Sequence, residues 1–100
     1  MIFGLSGPIF MVNYIVTKSF SYTPSDGEGV IHVFACREYW PGAPAQREIW
    51  QISVPTVYQA RIAHNLEFAN LSEACAVIAD AFQVSPGDVR DRLVKTMRSF

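Results

Sequence analysis

The sequence has few charged residues and few cysteines. Lys, Arg, Asp and Glu make up only 17% of its 100 residues and half of the residues are hydrophobic, which excludes a disordered chain. The net charge of −1 lacks the basic excess with which proteins usually hold nucleic acid through its phosphates. Cys36 and Cys75 have no metal-ligand or CxxC spacing. We therefore expect two small buried hydrophobic residues and a cytoplasmic protein.

The sequence also lacks the motifs of common catalytic and cofactor sites. It contains no GxGxxG, GxxxxGK[ST], HExxH or GxSxG pattern. His32 and His64 have no cysteine, histidine or carboxylate at a spacing that would make a metal site. These absences predict a protein that is not an enzyme and that uses no cofactor and no metal.

The apolar N-terminus fits neither a signal peptide nor a membrane helix. It has no basic residues ahead of the apolar stretch, and two glycines and a proline interrupt it well before the roughly 20 residues that a membrane helix needs. Met11 offers a second start, which would make residues 1–10 a non-native or disordered extension. The length otherwise fits a single domain over residues 1–100, with no membrane association.

The first half of the chain has the pattern of β-strands. β-branched and aromatic residues dominate Ile9–Tyr22, and a second apolar stretch follows at Val30–Tyr39 after the turn-forming sequence TPSDGEG. A further turn, WPGAP, leads to Arg47–Val54, where apolar residues alternate with mostly polar ones. The apolar set is Trp50, Ile52 and Val54. The pattern predicts three antiparallel strands joined by tight turns.

The second half has helical spacing. Pro55 suits the first turn of a helix, and an apolar stripe follows at Tyr58, Ile62 and Leu66. Asn70 and Glu73 have the spacing of a capping box at the start of a second helix.

A third helix has the clearest start. Ser85 is placed as its N-cap, Pro86 as its first residue, and Val84 and Val89 as a hydrophobic staple. The predicted fold is therefore α+β: a three-stranded antiparallel sheet followed by a three-helix, winged-helix-like bundle.

The segment IADAFQVSPGDVRDRL resembles a helix-turn-helix. A small Ala79 and the apolar residues around the turn fit that pattern, although Gln83 stands where the family usually has glycine. The resemblance implies a DNA-binding regulator. The residues placed to contact DNA are Pro86, Gly87, Arg90 and Arg92. Asp88 and Asp91 on the same helix oppose that reading, because acidic groups near phosphates are unfavourable.

From about Phe20 to Phe100 the chain also resembles the RiPP recognition element, the family of the peptide chaperone of pyrroloquinoline quinone biosynthesis. EIWQISVPTVYQARIAHNL resembles the family's third strand and first helix, and LSEACAVIADAFQVSPGDVRDRLVKTM its second and third helices. At the junction of strand and helix, SVPT replaces the family's asparagine-threonine type of cap.

This second resemblance implies a module that binds a leader peptide and presents it to a modifying enzyme. The peptide would add a strand to an open sheet edge at Arg47–Val54 and lie in a groove beside the third helix. The residues implied for the groove are Ile49, Gln51 and Ser53 on the strand and Arg90, Leu93 and Met97 on the helix.

A third hypothesis is a small phage or mobile-element protein that inhibits a host complex. Tyr39, Trp40 and Trp50, if exposed, are residue types that often anchor protein interfaces. All three hypotheses describe a binding protein, acting as a monomer or a homodimer, and a peptide or protein partner is favoured over nucleic acid.

Overall fold

The computed structural model describes residues 13–39, 47–63 and 66–100. The strands are β1 (Asn13–Tyr22), β2 (Ile31–Tyr39), β3 (Glu48–Ser53), β4 (Glu67–Phe68) and β5 (Arg98–Ser99), and the α-helices are α1 (Leu71–Phe82) and α2 (Pro86–Lys95). The predictions for residues 1–10, Met11, Trp40 and His64 lie outside the described residues. Within those residues, neither helix is long and apolar enough to cross a membrane.

The five strands of the described residues form one antiparallel sheet in the order β4-β3-β2-β1-β5. The three long strands confirm the predicted meander, but the rest of the predicted fold class is wrong. Two short strands, β4 and β5, extend the sheet on both sides. The described chain has two α-helices rather than a three-helix bundle, so the fold is α+β without the predicted winged-helix arrangement.

Both helices pack on one face of this sheet. α1 contacts β3 and β4, and α2 contacts β1. The core between the layers contains the alternate residues predicted for β3, Trp50, Ile52 and Val54, together with buried residues of the helices such as Ile78 and Leu93. Trp50 is only 9% exposed and its ring centroid lies 5.6 Å from that of Phe20, so it is a core residue rather than an exposed anchor.

The helix predicted after Pro55 is wrong. Only a short 3-10 helix forms there, over Thr56–Tyr58. A helix running on to Leu66 would carry that residue about 15 Å along its axis. Instead the chain turns back, and the Leu66 carbonyl accepts a hydrogen bond of 3.2 Å from the Ile52 N–H. Tyr58 and Ile62 are nevertheless buried in the core, as their spacing suggested.

The predicted starts of the other two helices are confirmed. The Asn70 side chain accepts from the Glu73 N–H at 3.0 Å, and the Ser85 hydroxyl accepts from the Asp88 N–H at 3.1 Å. Pro86 is the first residue of α2. These caps satisfy N–H groups that have no partner inside the helix.

Gln83 ends α1 in the left-handed region, with φ 55°. Glycine adopts this conformation without the steric cost that a Cβ brings. We expect Gln83→Gly to raise the free energy of unfolding by about 0.5–1 kcal/mol in urea titrations, with Gln83→Ala giving no such gain. Equal stability of the two variants would contradict this.

The turn between β1 and β2 is fixed by a buried tyrosine. The Tyr58 hydroxyl donates a hydrogen bond to the Asp26 carboxylate, and the Tyr58 ring packs edge-on against Phe82 with centroids 5.0 Å apart. The Glu28 N–H donates to the same carboxylate at 3.0 Å. These contacts join the turn to the chain after β3 and to the end of α1.

Acid should weaken this connection. The Tyr58 hydroxyl, and then the Glu28 N–H, hold the pKa of Asp26 below its ordinary value of 3.8. Because folding lowers this pKa, the ionised carboxylate stabilises the fold above about pH 4, and this contribution is lost as pH falls through the folded-state pKa. We expect melting temperature to fall more steeply below pH 4 for the wild type than for Asp26→Asn, as followed by circular dichroism. Parallel curves would contradict the prediction.

Candidate functional site

The candidate site is the side of the sheet that faces away from the helices, together with the adjoining edge of β1. We call this side the helix-free face. The strand pairings align its side chains in rows across the sheet. It contains Tyr14, Val16, Ser19 and Ser21 of β1; His32, Phe34, Cys36 and Glu38 of β2; Ile49, Gln51 and Ser53 of β3; Glu67 of β4; and Arg98 of β5.

Exposed apolar residues concentrate near the start of β1. Tyr14, Ile15 and Val16 are consecutive and 41%, 44% and 39% exposed. Tyr14 and Val16 lie on the helix-free face, and Ile15 lies on the opposite side. Such runs are unfavourable in water and commonly mark an interaction site.

The middle of the face is shielded and partly charged. Cys36 and Ile49 are buried, and the Arg47 guanidinium forms an ion pair of 2.5 Å with Glu38. Burial and then the charge of Glu67 raise the pKa of the Cys36 thiol. The thiol therefore stays protonated at neutral pH, which does not favour a nucleophilic role.

The strand pairing fixes which backbone groups of β1 face β2. The Glu38 N–H donates to the Arg47 carbonyl, so the backbone of Glu38 faces β3. Backbone direction alternates along a strand, so Arg37 faces β1, where it pairs with Ile15. The N–H and C=O of Ile15 therefore point toward β2.

By the same alternation, the N–H and C=O of Tyr14 and Val16 point toward the outer edge of β1. β5 pairs with this edge only after Val16, at Lys18 and Ser19. The contact nearest to Val16 is a hydrogen bond of 3.0 Å from the Phe100 N–H to the Thr17 carbonyl. Among residues 13–39, 47–63 and 66–100, none pairs with Tyr14 or Val16 on this side. Within the described residues, the edge at Tyr14 and Val16 is therefore open and lies beside exposed apolar side chains.

The edge of β3 is less accessible than the sequence suggested. β4 pairs with it at Trp50 and Gln51, and Leu66 accepts from the Ile52 N–H. The predicted open edge at Arg47–Val54 is therefore covered over most of its described length. What remains is a shallow pocket of about 370 Å³ where β4 ends, lined by Arg47, Glu48, Ile49, Glu67, Phe68 and Ala69.

The structure does not bring the predicted peptide-binding residues together. Ile49, Gln51 and Ser53 lie on the helix-free face, whereas α2 lies on the other side of the sheet and contacts β1. Leu93 is fully buried in the core. The two remaining residues, Arg90 and Met97, are exposed, and the Arg90 guanidinium lies 3.4 Å from the Ser72 hydroxyl.

The residues predicted for DNA contact share an exposed helix. Pro86, Gly87, Arg90 and Arg92 of α2 are all exposed. The Arg92 guanidinium lies 3.4 Å from the Asp88 carboxylate, and Asp91 is exposed on the same helix. The exposed surface of α2 therefore carries both signs of charge.

No group of three or more His, Cys, Asp or Glu side chains within the described ranges could hold a metal ion. Cys36 and Cys75 are free and buried, as their spacing predicted. The chain matches no protein-family model, no curated protein and no solved structure at a significant level. The candidate site therefore rests on its own geometry.

Sequence reasoning missed Tyr14 and Val16 as site residues. It placed them correctly in the first strand, but strand pattern alone does not tell which edge of a sheet lacks a neighbour. The available signal was three consecutive large apolar residues in a strand with one solvated face.

Proposed function

We propose that this chain is a non-enzymatic binding module that takes an extended segment of a peptide or protein partner onto the open edge of β1. The observation that carries the proposal is the outward-pointing backbone of Tyr14 and Val16, which has no partner among the described residues. The two free cysteines support a reducing, cytoplasmic compartment.

β-Augmentation suits this edge. An added strand would form main-chain hydrogen bonds with Tyr14 and Val16, each contributing about 0.5–1.5 kcal/mol net. It would also cover part of the exposed Tyr14, Ile15 and Val16 side chains, which supplies an apolar contribution. Main-chain hydrogen bonds would supply affinity for the peptide, and contacts with every second side chain of the peptide would supply specificity.

Presentation of a leader peptide to a modifying enzyme is one form of this proposal. The resemblance to the RiPP recognition element relied on three strands followed by three helices, an order that the described chain does not have. The proposal therefore relies on the β1 edge instead of β3 and α2. Inhibition of a host complex would use the same edge with a larger partner.

DNA binding has less support. The net charge is −1, and Asp88 and Asp91 accompany the arginines on the exposed part of α2. A helix that approaches phosphates usually presents a clear excess of positive charge.

Selection of a random 12-residue peptide library against the full chain tests the proposal. Selected peptides should bind wild type and lose about tenfold or more in affinity on Val16→Lys, because the lysine interrupts the apolar edge. Val94→Lys is the matched control, since Val94 is a similarly exposed valine on α2. No selected peptide, or equal loss in both variants, would contradict the proposal.

A further inference from the structure

Basic side chains collect along the outer edge of β1, beyond the stretch where that edge is open. Neither β1 nor residues 92–100 contain an aspartate or a glutamate. Together these two segments contain four of the eight lysines and arginines of the chain, and all four residues are exposed. We call them the basic strip: Lys18, Arg92, Lys95 and Arg98.

Strand pairing and one side-chain contact bring the two segments of the basic strip together. β5 pairs with β1, so Arg98 and Lys18 lie on neighbouring strands. Near the end of β1, the Thr96 hydroxyl accepts a hydrogen bond of 2.8 Å from the Ser21 N–H, which places the end of α2 against the same edge. The basic strip therefore continues from β5 along β1 to the end of α2.

Most of the charge of the basic strip is not balanced within the described residues. Lys18, Lys95 and Arg98 form no ion pair there. The Arg92 guanidinium lies 3.4 Å from the Asp88 carboxylate, and both of these side chains are about half exposed. The strip is therefore a locally positive region on a chain whose net charge is −1.

A shallow cavity of about 260 Å³ lies where the basic strip reaches α2. It is lined by Ser21, Thr23, Arg92, Lys95 and Thr96. The Arg92 guanidinium lies over the Tyr22 ring, with its Cζ 6.0 Å from the ring centroid. Guanidinium and ammonium groups form their strongest hydrogen bonds with carboxylates and phosphates. This end of the strip can therefore accept an acidic side chain.

We propose that the partner segment bound at the open edge of β1 carries acidic residues that contact the basic strip, an inference that rests on the proposed function. The exposed apolar residues Tyr14, Ile15 and Val16 and the strip follow one another along the same edge. One extended partner can therefore contact both. Its apolar part would cover the apolar residues, and its acidic part would neutralise the strip.

β5 determines the path of such a partner. The Phe100 N–H is bonded to the Thr17 carbonyl, so a strand paired at Tyr14 and Val16 cannot continue straight along β1. It must move outward by one strand spacing, about 4.8 Å, to pass β5. Lys18 and Arg98 flank the partner there, because they lie on opposite sides of the sheet.

The spacing along β1 predicts where the acidic residues fall in the partner. At about 3.3 Å per residue, Lys18 lies about 7 Å beyond Val16, and Thr23 at the cavity lies about 23 Å beyond it. An extended partner covers these distances with about two to seven residues. For a partner antiparallel to β1, as every neighbouring strand of the described sheet is, these residues precede its apolar part.

Contacts with exposed charges affect specificity and association rate more than they affect the maximum affinity. They are also screened by salt, since the Debye length falls from about 10 Å at 0.1 M to about 3 Å at 1 M. The acidic part of the partner should therefore make its binding depend on salt, whereas β-augmentation at the apolar part should not.

Peptides selected from the random 12-residue library test this inference with the full chain. An extended peptide of this length spans about 40 Å, which exceeds the distance of about 30 Å from Tyr14 to Thr23. We expect the selected sequences to be enriched in Asp and Glu next to an apolar segment. Replacing those residues by Asn and Gln should weaken binding by about tenfold or more in low salt, and by much less in about 0.5 M NaCl.

Neutralising the strip should have the same effect as neutralising the peptide. Lys18→Gln/Lys95→Gln should weaken the acidic peptides by about tenfold or more and leave their Asn and Gln analogues unaffected. Arg61→Gln/Arg90→Gln is the matched control, because it removes the same charge from two exposed arginines outside the strip. It should have little effect on either peptide.

Two results would overturn the acidic partner. One is a set of selected peptides without enrichment in Asp and Glu, and the other is an equal loss of affinity in the two double variants. Val16→Ser keeps these outcomes apart from failure of the proposed function, because it removes apolar surface without changing charge. Peptides that lose affinity on Val16→Ser but do not respond to the strip variants would leave the proposed function standing and contradict only the acidic partner.

Discussion

Replacing Leu93 by alanine is expected to lower the free energy of unfolding by about 2–5 kcal/mol. Leu93 is fully buried in the core between α2 and the sheet, so truncation removes packing contacts and leaves a cavity. Urea unfolding followed by circular dichroism measures the loss.

Met97→Ala is the matched control. Met97 lies one turn further along the chain and is 47% exposed, so its truncation should cost no more than about 0.5 kcal/mol. The two variants distinguish a core position from a position in a peptide-binding groove, which the apolar spacing alone does not. Truncation of a groove residue would weaken peptide binding without a large loss of stability. A small effect of Leu93→Ala would contradict its position in the core.

Gly29→Ala is expected to cost about 1–3 kcal/mol. A Cβ at this position would lie 3.0 Å from Pro55 Cγ, 3.1 Å from Val57 Cγ1 and 3.2 Å from Tyr58 Cε2. The alanine would therefore push the turn between β1 and β2 away from the segment that holds it, and the Tyr58 bond to Asp26 would weaken with it.

Gly87→Ala is the control for Gly29→Ala. No atom lies within 4 Å of a Cβ at Gly87, and alanine is favoured over glycine in a helix by about 0.5–1 kcal/mol. Thermal unfolding of the two variants should therefore shift the melting temperature in opposite directions. A decrease of similar size in both would show that the clash at Gly29 is not the cause.

Local signals in the sequence predicted the three long strands and the starts of both α-helices, but not the fold class. Alternation placed Trp50, Ile52 and Val54 on one apolar face of β3, although it left open whether Trp50 is buried, and side-chain chemistry identified the caps at Asn70 and Ser85. Each of these signals depends on residues close together in the chain. They succeed because the required partner is also close.

Features that depend on distant partners could not be predicted in this way. β4 and β5 have two residues each, which is too short to show any periodicity in the sequence. They form because they pair with longer strands, β4 at Trp50 of β3 and β5 at Lys18 of β1. The apolar spacing after Pro55 indicated burial correctly but not helix, because pairing of Leu66 with β3 required a turn.

The candidate site shows the same limit. The apolar run Tyr14–Val16 is visible in the sequence. The sequence does not show that β4 pairs with the edge of β3, or that β5 pairs with β1 only at Lys18 and Ser19. Which strand edges are covered cannot be derived from spacing along the chain.

Backbone amide hydrogen exchange, measured residue by residue by NMR on the free monomer, tests the open edge of β1 most directly. The Ile15 N–H is bonded to β2 and should exchange slowly, whereas those of Tyr14 and Val16 point outward and should exchange fast. On addition of a selected peptide, the Tyr14 and Val16 amides should become protected. Slow exchange of all three amides in the free monomer would contradict the account, because the edge would already be paired.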